Sequence, residues 1–275
     1  MTPRWPRPLA LAVLLCLTLL AGCGGAEKRP EGGDALGLEP DDSPAEIYVR
    51  MAEQYYARGQ IEVAFRRALQ ALEADRRYAR AHVWMAFLYE QLGKDALATE
   101  HYERAVQLAP KNPDVLHAYG SYLCREQRYA EAEAQFLEAL DNPLYATPWV
   151  TMTNAGDCAR KKGDASQAEA YYRSAVAANP KFGPALVKRA AMAYARGEIK
   201  AAKGDIDRYF GAETLRTATS TREALQLGAS IERQLGDRER ANFYQRALRE
   251  RFPDAAASRE SQGVQLDERD QITES

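Results

Sequence analysis

Over residues 45–255, small and aromatic residues recur at helical steps, and the whole pattern returns at intervals near 34 residues. Ala64, Ala98 and Ala132 stand 34 apart; Ala168 follows after 36, Ala202 after 34 and Ala241 after 39. Five residues before each alanine lies a glycine (Gly59, Gly93, Gly163, Gly197, Gly236), with Gln127 as the exception. Each period therefore predicts two helices joined by a tight turn, which glycine permits because it carries no Cβ. In the second period Met85, Ala86 and Tyr89 mark the first helix, and Ala98, Tyr102 and Ala105 the second. Small residues let the paired helices approach, and large ones fill the space between them. Tyr119, Gly120, Leu123, Ala132, Phe136 and Ala139 repeat the scheme in the third period. Ala155, Gly156, Ala159, Ala168, Tyr172 and Ala175 repeat it in the fourth. The fifth is degenerate, with Ile206 and Tyr209 in place of the usual aromatic and alanine, and the sixth follows a five-residue insertion.

A helix pair of this period is the tetratricopeptide repeat (TPR). Six units are expected near 45–78, 79–112, 113–146, 149–182, 183–216 and 222–255. The predicted fold class is all-α, a TPR solenoid wound into a right-handed superhelix with a concave face. A length prior of about 150 residues per domain would suggest two domains here, but a solenoid grows by adding units. In TPR proteins, positions 2, 5, 9, 12 and 13 of the first helix face the concave side. Those are Glu46, Val49, Glu53, Tyr56 and Ala57 in unit one, and Arg80, Val83, Phe87, Glu90 and Gln91 in unit two. Val49, Tyr56, Val83 and Phe87, with Glu90 beside them, form the candidate partner-binding groove, a seat for an amphipathic helix or peptide. The alternative is that Val83 and Phe87 pack against a neighbouring helix.

The amino-terminal residues read as an address. Arg4 and Arg7 precede an apolar run over residues 9–20, too short for the roughly 20 residues a membrane-spanning helix needs. It reads as a secretory signal ending in Leu20-Ala21-Gly22-Cys23, which resembles the bacterial lipobox. Residues 1–22 would be removed, and Cys23 would become the first mature residue, carrying acyl chains such as palmitate. The other reading is an ordinary secretory peptide with a chance cysteine. Gly24 stands where inner-membrane lipoproteins typically carry Asp, so the expected destination is the outer membrane, lipid-anchored and facing the periplasm. Residues 23–44, with five glycines between Cys23 and Pro44, are expected to form a flexible tether, and 256–275 a polar tail.

Charge and chemistry narrow the function further. Lys plus Arg number 37 against 39 Asp plus Glu, a net charge of -2. Loss of residues 1–22 removes Arg4 and Arg7 and no acid, leaving 35 against 39, or -4. Neither balance suits a nucleic-acid binder. The three histidines, His82, His101 and His117, have no zinc-ligand spacing. His117 and Cys124 lie seven residues apart on one helix, about 10.5 Å, beyond hydrogen-bond reach for a nucleophile pair. No phosphate loop, Ser-centred elbow or dinucleotide fingerprint is present. No enzyme activity, cofactor, metal or small-molecule substrate is expected. Cys124 and Cys158 occupy the first helices of adjacent units, which run side by side. An oxidising periplasm would join them as a disulfide; otherwise they pack as two buried free thiols.

Two stretches carry a more specific likeness: Ala118-Tyr119-Gly120-Ser121-Tyr122-Leu123-Cys124 and Asn154-Ala155-Gly156-Asp157-Cys158. With the lipobox and six TPR units, they resemble the type IV pilus biogenesis/stability lipoprotein family, the PilF/PilW type that acts as pilotin for the secretin. Some members likewise bring a cysteine to each of two adjacent repeats. The resemblance implies an outer-membrane adaptor that binds secretin subunits and promotes their outer-membrane localisation and multimerisation. Its partners would be the secretin subunit and, through the lipid anchor, the inner leaflet of the outer membrane. The same fold and lipid also suit a general periplasmic TPR scaffold for peptidoglycan enzymes or outer-membrane assembly factors.

Overall fold

Twelve α-helices and no strand occupy the residues described by the computed structural model, 42–211, 214 and 216–253. In chain order they are α1 (Pro44–Ala57), α2 (Ile61–Ala74), α3 (Ala79–Gln91), α4 (Asp95–Leu108), α5 (Pro113–Arg125) and α6 (Tyr129–Leu140). They continue as α7 (Pro148–Lys162), α8 (Ala165–Ala178), α9 (Gly183–Ala195), α10 (Ile199–Tyr209), α11 (Ala218–Leu235) and α12 (Arg238–Arg251). Odd and even helices pair into six units, all within one compact body that starts at Ser43. The signal, Cys23 and most of the expected tether lie outside the described residues, as does the expected tail.

Local chemistry places the helix ends. Pro44, Pro113 and Pro148 open α1, α5 and α7, where their missing N–H costs nothing. Ser43 accepts from the Glu46 N–H, and Asn112 from those of Asp114 and Val115. At all six intra-unit turns one residue takes a left-handed backbone: Gly59, Gly93, Gly163, Gly197, Gly236 and, at the third, Gln127 with φ 63°. Gln127 thus adopts the same turn and bears the steric cost that glycine avoids.

The sixth unit departs from the expected boundary. Four of the five inserted residues are helical: α11 begins at Ala218, because Thr217 forms a capping box with Ser220. The insertion lengthens a helix and makes no loop.

Core packing follows a recurrent scheme, plainest in units three, four and six. The alanines at the centre of the repeat, Ala64, Ala98, Ala132, Ala168 and Ala202, are fully buried. A small residue on the first helix meets a larger side chain sixteen residues on: Gly120 faces Phe136, Gly156 faces Tyr172 and Gly228 faces Tyr244. Ile206 and Tyr209, which break the expected pattern of the fifth unit, are buried and fill the same space.

Between units, each odd helix packs closely against the odd helix of the next unit and the even helix of the previous one, whereas even helices stand further apart and meet only through long side chains, as Gln167 with Glu133 and Arg240 with Asp207. Closer packing on the odd side curves the stack towards that side. The concave face is therefore built from α1, α3, α5, α7, α9 and α11. No helix among the described residues is long and apolar enough to cross a membrane.

Candidate functional site

The concave seams between units differ in chemistry along the stack. Between units one and two, the Arg80 guanidinium on α3 reaches both Glu46 and Glu53 on α1. Tyr78 donates its hydroxyl hydrogen to Glu46 Oε2 at 2.7 Å, and Trp84 donates Nε1–H to Glu53 Oε1 at 2.9 Å. Glu46 is only 5% exposed, and buried carboxylates persist where they are paired and hydrogen-bonded in this way. Arg50 Nε, 3.8 Å from Glu46 Oε1, adds a second cation, so the two acids of the seam are balanced internally.

Beside them lies an aromatic triangle. Tyr56 and Phe87 stand 4.8 Å apart between centroids, Trp84 and Phe87 5.4 Å, and Tyr56 and Trp84 6.2 Å, all edge to face. Edge-to-face contact matches a positive ring edge to a negative face and stiffens the cluster. The Tyr56 hydroxyl donates to Gln91 Oε1 at 3.2 Å, which closes the far side. All three rings are half-buried, so each keeps surface for a partner.

The expected groove set divides. Tyr56 and Phe87 belong to this triangle. Val49 is 0% exposed and packs with Ala71 and Ala81, so it is core and cannot touch a ligand. The reason is its place on α1, where the start of the next unit covers it. Val83 is half-buried against the cluster around Tyr102 and Tyr122, so the packing alternative describes it. Glu90 is held by the fork of Arg125 from the third unit, with Nη2 to Oε2 at 2.7 Å. Trp84 was absent from the expected set. Its step of three from Phe87 on one helix is the signal that places it on the same face.

The next seams carry other groups. At units three and four, His117 Nδ1 lies 2.8 Å from Thr151 Oγ1, and Asn154 Nδ2 lies 3.3 Å from His117 Nε2. The amide can only donate, so neutral His117 accepts at Nε2 and gives its Nδ1–H to Thr151. Burial holds its imidazole below the usual range. Further along the same two helices, Cys124 and Cys158 are joined as a disulfide with Cα atoms 5.7 Å apart. At units four to six, Lys188 Nζ bridges Asp157 at 3.7 Å and Glu223 at 3.2 Å. Among the described residues no group of three or more His, Cys, Asp or Glu is placed to hold a metal ion.

With this geometry in hand, comparison with known proteins adds a lineage. Models of the tetratricopeptide repeat match residues 79–122 and 151–182. The type IV pilus assembly protein PilF of Pseudomonas aeruginosa is 27% identical over 258 residues, which cover 92% of this chain and 97% of that protein. Its solved structure superposes with a TM-score of 0.66 at 26% identity, over 81% of this chain and 98% of that one. The structure of PilW, described as a widely conserved type IV pilus biogenesis factor, gives a TM-score of 0.63 at 30% identity, over 76% and 94%.

Proposed function

Because this chain belongs to the PilF/PilW-type family of tetratricopeptide-repeat proteins, we propose that it serves type IV pilus biogenesis as an outer-membrane lipoprotein adaptor. In this reading it binds secretin subunits and promotes their outer-membrane localisation and multimerisation. The observation that carries the proposal is the extent of the likeness: it spans nearly the whole length of relatives named for pilus assembly and biogenesis.

The mechanism has no chemical step. Acyl chains on Cys23 supply the destination, at about 0.8 kcal/mol per buried methylene. The aromatic triangle of Tyr56, Trp84 and Phe87 supplies the cargo contact. The two acids beside it, Glu46 and Glu53, are matched by the two guanidinium groups of Arg80 and Arg50, so an apolar helix face meets no uncompensated charge there. Residues 23–44 join the two and raise the effective concentration of captured subunits at the membrane surface.

Phe87→Asp combined with Tyr56→Ala tests the groove. Secretin multimers in the outer membrane should fall while the amount and helicity of the adaptor stay constant. Undiminished multimers would remove the triangle from the binding face. Cys23→Ser tests the anchor separately: the protein should leave the outer-membrane fraction, and retention there would refute lipidation at that residue.

A further inference from the structure

Two of the three histidines meet in the fold, away from the aromatic triangle. His82 lies in the first turn of α3 and His101 in the second turn of α4, nineteen positions later in the chain. Their Nδ1 atoms are 3.0 Å apart and their ring centroids 5.1 Å. His82 Nε2 stands 3.1 Å from the carbonyl oxygen of Arg76. A carbonyl only accepts, so neutral His82 carries its hydrogen on Nε2 and turns a bare Nδ1 lone pair towards His101.

That is how a metal-ligating imidazole is held: one ring nitrogen donates to a backbone carbonyl and the other is presented bare. His101 completes the pair by moving its own hydrogen to Nε2, which frees its Nδ1 when a cation replaces the shared hydrogen. Metal–nitrogen bonds of about 2.0–2.1 Å place two adjacent donor nitrogens roughly 3.0–3.4 Å apart. The observed 3.0 Å already matches that separation, and both rings then turn by roughly 35–45° to aim their lone pairs at one point beside the line between them. Burial lowers the pKa of both rings and so keeps them neutral, the form that ligates, while Arg104 opposes positive charge at His82 and the carboxylates of Asp75 and Glu100 favour it.

We infer that His82 and His101 form a two-histidine site for a divalent transition-metal ion of the Zn2+ or Ni2+ type, with water completing its coordination. Imidazole suits these ions, whereas Mg2+ and Ca2+ demand oxygen ligands. With two protein ligands the ion exchanges readily, unlike the closed four-ligand sites of zinc fingers. It would pin α3 to α4 and, through the Arg76 carbonyl, to the turn that leaves unit one. Because α3 also carries Trp84 and Phe87, the ion would stiffen the helix that presents them.

The test uses the full chain, prepared without a histidine tag, and Zn2+ as the probe. Calorimetry should show saturable uptake of one equivalent, unaffected by excess Mg2+. His82→Gln and His101→Gln should each weaken uptake by at least about tenfold. Proton–nitrogen correlation spectra of the histidine rings give an answer that needs no variant. The chain has three histidines, so Zn2+ should shift the Nδ1 signals of His82 and His101 and leave those of His117 in place. Lack of saturable uptake, ring signals unmoved by Zn2+, or uptake undiminished in both variants would each overturn the site. Loss of metal uptake leaves the adaptor reading intact, because that rests on the groove and its secretin assay.

Discussion

A methyl group placed on Gly156 would stand 2.6 Å from Cε1 of Tyr172, whose hydroxyl donates to Asp157 Oδ1 at 2.7 Å. The hydrogen bond holds the ring against the glycine, so the ring cannot swing away to admit a larger residue. Gly156→Ala gains up to about 1 kcal/mol of helix propensity but forces apart two tightly paired helices, at a cost of about 1–3 kcal/mol. Net destabilisation is the expected outcome, read as a lower midpoint in urea unfolding. A companion Gly156→Ala/Tyr172→Leu variant should recover part of the loss, because the shorter side chain removes the clash.

Gln127 occupies the left-handed turn position that glycine fills in the other five units, with φ 63°. Gln127→Gly should relieve a steric cost of about 1–2 kcal/mol, offset in part by the greater freedom of glycine in the unfolded chain. The expected result is a stabilisation of a few tenths to about 1 kcal/mol, visible as a higher denaturation midpoint. A lower midpoint would mean that the glutamine side chain holds the turn by contacts that outweigh the strain.

The Cys124–Cys158 bond ties α5 to α7 across a sequence separation of 34. Closing a loop of that size removes unfolded-state entropy equivalent to about 3–4 kcal/mol. Cys124→Ser with Cys158→Ser should lower stability by about 2–4 kcal/mol. Reductant should have the same effect on the parent protein and none on the variant. Labelling of Cys124 or Cys158 by a thiol reagent in the unreduced, denatured chain would show the bond to be absent.

His117 sits in the same seam, and burial lowers its pKa. Its folded value lies below the unfolded value of about 6.5, so on acidification the unfolded chain binds its proton first. The contribution is therefore fully present above about pH 6.5 and is lost as pH falls through that value towards the folded pKa. The groups that face it are Asp114, which favours the charged form, Arg125, which opposes it, and the neutral Thr151 and Asn154. His117→Gln should flatten the acid-side fall in unfolding free energy by up to one proton, measured by denaturation at several pH values between about 5 and 7. An unchanged slope would place the proton elsewhere.

Much of this architecture is legible in the sequence, and particular residues show where legibility stops. Spacing within one helix is dictated by 3.6 residues per turn, so Ala98, Tyr102 and Ala105 declare a buried stripe without any structure. Glycine at the turns and proline at helix starts mark the helix pairs for similarly local reasons. Val49 and Trp84 mark the limit. Both lie near the concave stripe by their positions, yet the next unit covers Val49 and leaves Trp84 half open. Which of two adjacent stripes is covered depends on the angle between units, and no period within a helix encodes that angle.

The amino-acid sequence by itself determined the all-helical repeat, the count of six units and the likeness to pilus biogenesis proteins, because each rests on spacing and residue type along the chain. It left open whether Cys124 and Cys158 join. Only the tertiary structure decided that Arg80 bridges the two acids of the first seam, that Tyr56, Trp84 and Phe87 converge, and that His82 meets His101. Those are contacts between helices, and they are set by crossing angle, superhelical curvature and side-chain volume together.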